Sequence, residues 1–191
     1  AHDGAVVYSH PVAISAGPAA GKPLFAEGIA FRNDRLIQLT WRAGIALVYT
    51  FPSCAFDTTL LYRGEGWGLT AAQSDWVMST GSDTLFIRDS SFTVRKKIAV
   101  RVGNKKLDNI NELEYALGAL FANVWYSTSI YKIHLSTGVV VAIIDCSEIV
   151  QMENPRSRNH VLNGIAFNPE SNTFYITGKK WRQIYEISIP D

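Results

Sequence analysis

Glu27, Trp67, Asn111 and Asn163 stand in the same place within four similar stretches, FAEGIAF, EGWGLT, INELE and LNGIAF, at separations of 40, 44 and 52 residues. A second set closes the runs that follow: Trp41, Thr80-Gly81, Trp125 and Lys179. Together they bring three tryptophans, two asparagines, one carboxylate and one ammonium. A carboxyl group can take a proton and later return it. A lysine can stabilise a developing oxyanion, or hold the carboxylate by charge. An asparagine amide donates and accepts at once, and indoles can wall the aliphatic part of a small substrate. Each type also has a plainer use: a solvated strand-end carboxylate, a surface turn lysine beside Lys180, a backbone-capping asparagine, and tryptophans that only pack one sheet on the next.

What must position these residues is a repeated set of strands. Residues 109–125 read as two strands joined by a tight turn at Leu117-Gly118-Ala119. Comparable openings stand at residues 25–31, 65–70 and 162–167, each followed by β-branched and aromatic runs between Gly, Asn, Asp and Ser turns. The repeats are 25–64, 65–108, 109–160 and 161–191, with strands also expected near the N-terminus, all within one domain over 1–191. A period of about 40–50 residues with about four strands per unit predicts an all-β protein, a β-propeller. The last separation is long because a polar loop at residues 152–160 is inserted. The last unit shows three strands, and a strand from residues 5–8 is the candidate to complete it and remove two exposed edges. The first strand of each propeller blade lines the central channel, so Glu27, Trp67, Asn111 and Asn163 should ring one mouth. Alternation along the third opening sends Glu112 and Glu114 away from Asn111, toward structural hydrogen bonds.

Composition removes several function classes. Eighteen Lys+Arg balance 17 Asp+Glu, which argues against a nucleic-acid partner. The longest apolar run, residues 139–144, is too short to span a bilayer. Four scattered histidines offer no metal-ligand spacing. No Gly-x-Ser-x-Gly elbow and no glycine-rich phosphate loop is present. Cys54 and Cys146 are the only cysteines. A whole repeat separates them and both sit in apolar strand-like contexts, so they should be buried free thiols.

The motifs FAEGI, RLIQLTW, EGWGLT, NELEY, ANVW, VLNGIAF and TGKKW, in this order, resemble the plant-type glutaminyl cyclases, or glutamine cyclotransferases, of plants and bacteria. The resemblance implies a five-bladed propeller, of which four repeats are readable here and the N-terminal blade is incomplete. It implies conversion of an N-terminal glutamine to pyroglutamate with release of ammonia. Glu27 maps onto the proposed acid/base of the family, and Phe25 onto the aromatic before it. Trp41, Trp67 and Trp125 map onto its pocket tryptophans, Asn111 onto the Asn of NELE, and Lys179 onto the Lys of TGK. The catalytic set is then Glu27, Lys179 and Asn111. The substrate-binding set is Phe25, Trp41, Trp67, Trp125 and Asn163. No metal is needed, although the family leaves room for a structural calcium. The implied protein is an exported, secreted or periplasmic monomer acting on peptides or proteins that begin with glutamine. The family's FTQGL and YESTG segments are absent, and Thr80 replaces an Asp of its MSDGT motif. A propeller that only binds a peptide or protein at its mouth is the alternative, because this fold hosts both. A lactonase-like propeller with a channel metal is a weaker third, since no histidines stand at the strand ends.

Overall fold

The structure is a computed structural model and describes residues 24–189. Strands β1 (Ala26–Arg32), β2 (Arg35–Thr40), β3 (Ile45–Thr50) and β4 (Ala55–Leu61) form one antiparallel meander. β5 (Leu69–Ala72), β6 (Asp75–Met78), β7 (Thr84–Arg88) and β8 (Val94–Ala99) form a second. A hairpin of β9 (Arg101–Val102) and β10 (Lys105–Lys106) leaves it and adds to the outer edge of the third sheet. That sheet comprises β11 (Ile110–Ala116), β12 (Ala119–Val124), β13 (Ser129–His134) and β14 (Val139–Asp145). After helix α1 (Ser147–Met152), β15 (Leu162–Asn168), β16 (Thr173–Gly178) and β17 (Tyr185–Ile187) make the fourth sheet.

The four sheets stack through three apolar interfaces. Ile37, Leu39 and Val48 meet Leu69, Trp76 and Met78 between the first and second sheets. Val77 and Leu85 meet Leu113, Leu120 and Ala122 between the second and third. Phe121 and Ile130 meet Leu162, Phe174 and Ile176 between the third and fourth. Every residue of β12 is buried because both its faces are covered by neighbouring sheets. Each large side chain so buried contributes about 1.5–3 kcal/mol. The outermost strands are different. β8 exposes Arg95, Lys96 and Lys97, charges that keep an edge strand from pairing with another chain.

The first strands pack in ring order, β1 on β5, β5 on β11 and β11 on β15. This is a propeller-like arrangement of four sheets. β1 and β15 face each other across a cavity of about 680 Å³, lined by Ile29, Thr70, Glu112, Glu114, Phe167 and others. The expected closing strand at residues 5–8 lies outside the described residues, and no strand of a fifth blade stands among the described ones.

Residues 98–102 divide between two strands: β8 ends at Ala99 and β9 begins at Arg101. Val100, fully buried, donates its amide to Asp83 O and turns the chain between them. Helix α1 was not expected, being six residues long and therefore too short to show a period. Cys54 and Cys146 are both free. Cys54 lies in the turn after β3 rather than in a strand, and is half-buried rather than enclosed. No helix among the described residues is long and apolar enough to cross a membrane.

Candidate active site

Three of the four first strands begin with the same irregularity. In β1 the pairing jumps from Ala26↔Thr40 to Ile29↔Gln38, in β11 from Ile110↔Val124 to Leu113↔Ala122, and in β15 from Leu162↔Gly178 to Ile165↔Ile176. One extra residue is accommodated each time, which is a β-bulge that re-aims a side chain. Glu27, Asn111 and Asn163 occupy it. Trp67, two residues before Leu69, holds the corresponding position in the second sheet. The register therefore reproduces the alignment of the four openings.

Seven side chains line one cavity of about 350 Å³ at the mouth: Phe25, Glu27, Trp41, Trp67, Asn111, Trp125 and Lys179. All seven were expected from sequence. Asn163 sits at the equivalent bulge but does not line this cavity, and its Oδ1 is buried without a hydrogen-bond partner.

The walls are fixed by aromatic and backbone contacts. Phe25 meets Trp41 edge-on at 5.9 Å between ring centroids, and Trp67 meets Trp125 likewise at 5.7 Å. Trp41 donates its amide to Phe25 O, Trp125 to Asn109 O, and Lys179 to Val161 O. These bonds tie each second strand's end to the head of the first strand beside it. Gly81 supports Trp67 from behind: at φ +76° it adopts a conformation that disfavours side chains, and a Cβ there would stand 2.6 Å from the indole.

Glu65 was missed by the sequence reading. Its Oε2 accepts the indole N–H groups of both Trp41 (2.8 Å) and Trp67 (2.9 Å), and its Oε1 accepts Arg42 Nε (3.0 Å). One carboxylate thus sets the rotation of two walls. The indole hydrogen bond from Trp67, joined by those of Trp41 and Arg42, holds Glu65 below the usual carboxylate range. The only sequence signal was its place two residues before a mouth tryptophan.

Glu27 is half-buried among these aromatics. Burial raises its carboxyl pKa, the positive charge of Lys179 opposes the rise, and the negative charge of Glu65 adds to it. Among the described residues Glu27 and Lys179 do not form a close ion pair. The ammonium instead stands over the Trp125 ring, 4.2 Å from its centroid, attracted by the face of the π-system. Asn111 is buried, and its Oδ1 meets no hydrogen-bond partner in the protein. A buried amide oxygen without a partner on a cavity wall suits a donor brought by a ligand.

Glu112 and Glu114 are bonded to backbone. Glu112 accepts the amides of Leu113 and Leu69, and Glu114 accepts the amide of Phe167 and the hydroxyl of Thr70. No group of three His, Cys, Asp or Glu side chains among the described residues is arranged to hold a metal ion.

Comparison with known proteins bears on what this mouth does. A model of the glutamine cyclotransferase family matches residues 13–189. Glutaminyl-peptide cyclotransferase of Arabidopsis thaliana is 28% identical over 169 residues, covering 86% of this chain and 53% of that protein. The chain thus spans about half the length of that curated relative. The crystal structure of Myxococcus xanthus glutaminyl cyclase is similar with a TM-score of 0.84 at 34% identity, over 87% of this chain and 73% of that one.

Proposed function

The chain belongs to the glutamine cyclotransferase family, and we propose that it is a glutaminyl-peptide cyclotransferase, converting an N-terminal glutamine to pyroglutamate with release of ammonia. The observation that carries this reading is the convergence of Glu27, Lys179 and Asn111 in one small aromatic-walled cavity. Glu27, Lys179 and Asn111 are the catalytic set; Phe25, Trp41, Trp67 and Trp125 hold the substrate. Asn163, also expected to bind substrate, does not line the cavity.

The reaction follows from the groups present. The α-amine of a peptide has a reference pKa of about 8 and arrives mostly as ammonium. Ionised Glu27 takes one proton from it. The neutral amine attacks the side-chain amide carbon, forming the C–N bond of a five-membered ring and pushing charge onto the amide oxygen. Lys179 stabilises that oxyanion. Asn111 orients the amide through its unpartnered oxygen. Protonated Glu27 gives its proton to the departing nitrogen, the old C–N bond breaks, and ammonia leaves. The surplus proton on the ring nitrogen passes to Glu27 and then to solvent. A carboxyl whose pKa is raised by burial is better matched to this exchange than an exposed one.

The reading extends to an exported, monomeric enzyme acting without an obligatory metal, as the resemblance implies. Activity should therefore persist in a chelator that leaves the fold intact. The deciding experiment incubates the protein with a glutamine-initiated peptide and follows ammonia and the loss of one NH₃ from the peptide mass. Binding without turnover would instead favour a peptide-binding propeller.

A further inference from the structure

The cavity of about 350 Å³ is at the small end of ligand pockets and takes the terminal glutamine. The rest of a peptide must leave over the rim. On the Trp125 side the rim is built in an ordered way. Trp125 carries Lys179 on its ring and meets Tyr126 edge-on at 5.4 Å. Tyr126 is 49% exposed. Over it lies the Arg158 guanidinium, 4.5 Å from the ring centroid. Two aromatic rings in contact, with a cation on each, thus run from Lys179 inside the pocket to Arg158 outside it.

Arg158 belongs to the polar loop of residues 152–160, the insertion that made the fourth opening late. The loop is anchored, not trailing. Buried Glu153 accepts the Arg182 amide at 3.0 Å and the Tyr185 hydroxyl at 2.9 Å, so the loop is held against the segment that follows Lys179. Within it, His160 donates its amide to Ser157 O. Arg42 is paired with Glu65 and Arg182 with Glu153. Arg158 is in none of the ion pairs among the described residues. A guanidinium fork matches a carboxylate in a bidentate manner.

We propose that Tyr126 and Arg158 form a subsite for the residues after the glutamine, and that it selects substrates carrying an acidic side chain within the first two of them. This deepens the cyclotransferase reading and rests on it for the word substrate, though not for the binding preference.

The test compares glutamine-initiated peptides that differ only in Glu or Lys after the glutamine. The acidic peptide should have the higher kcat/KM by about two- to fivefold, the range of an exposed ion pair, with the difference in KM. Arg158→Glu should reverse the order, Tyr126→Ala should weaken it, and added salt should shrink it. A second readout uses the same peptides with norleucine in place of glutamine, which cannot cyclise, and follows binding by tryptophan fluorescence. An acidic preference in binding that Arg158→Glu reverses supports the subsite even if no peptide is turned over, in which case the cyclotransferase reading alone fails. Equal affinity for both peptides, or a preference unchanged in Arg158→Glu and Tyr126→Ala alike, overturns it.

Discussion

At the scale of single residues, the proposed mechanism reduces the site to one proton carrier, Glu27, in an aromatic frame. Glu27→Gln keeps the shape and removes the carrier. The rate constant kcat should fall about 10²- to 10⁴-fold with little change in peptide binding or Tm; a variant cyclising at near wild-type rate sinks the mechanism. Lys179→Ala should cost less and leave a second mark. Lys179 opposes the burial that raises the Glu27 pKa. Removing it raises that pKa further, so the acid limb of the pH–rate profile should move to higher pH. A limb that stays or moves down refutes the assignment. Glu65→Ala should free both indoles it holds and raise KM more than it lowers kcat, as a positioning residue does; a pure kcat loss would place Glu65 in the chemistry. The lining residues could be read in advance because repeat equivalence puts like positions on one mouth. Glu65 could not, because its part depends on two indole N–H groups turning back to one oxygen. No spacing rule encodes that turn.

At the scale of elements, the bulge at the head of three of the four first strands is the device that builds the mouth. It lets Glu27 and Asn111 leave the period of two and face the cavity, and for the same reason simple alternation is an incomplete guide at Glu112. The residue after the ring position is glycine in three sheets: Gly28, Gly68 and Gly164. A Cβ on Gly28 would stand 2.6 Å from Trp67 O, and one on Gly68 would collide with the Asn111 carbonyl. Neighbouring first strands touch there, since Gly28 donates its amide to Trp67 O at 2.7 Å and Ser79 Oγ, which accepts the Gly68 amide, donates to Asn111 O. Gly68→Ala should therefore push the second and third sheets apart and destabilise by about 1–3 kcal/mol. It should also weaken peptide binding by moving Asn111. Denaturant unfolding that shows no loss would mean the sheets have slack. Most strands were readable to within a few residues from β-branched runs and turn residues. Leu117 and Gly118, at φ 52° and 75°, give the two-residue turn the hairpin needs. The β9–β10 hairpin was not readable, because two-residue strands carry no periodicity and their partner is in the next sheet.

At the scale of the whole molecule, the four first strands converge on a channel, and the third sheet alone puts a side chain where the others have glycine. That side chain is Glu112. Burial pushes its carboxyl up to about 8 from an ordinary 4.5, and the charges of Glu27 and Glu114 add to the rise, against the amides of Leu113 and Leu69. The consequence for stability has a definite sign. Between about 4.5 and about 8 the folded protein keeps this proton and the unfolded chain does not. Stability from this group is therefore present at the acid end of that window and is lost as pH rises through it. Glu112→Gln keeps an oxygen to accept the two amides and has no proton to lose. Glu27 and Glu114, also raised by burial, remain in both proteins and largely cancel in the comparison. Wild type and variant should melt together at the acid end. With rising pH the variant should become the more stable, by roughly several degrees in Tm for a chain of this size, and the gap should level off above about 8. Thermal melts across that window check it. A gap that does not change with pH would show that the channel hydrates Glu112 and leaves it ionised throughout.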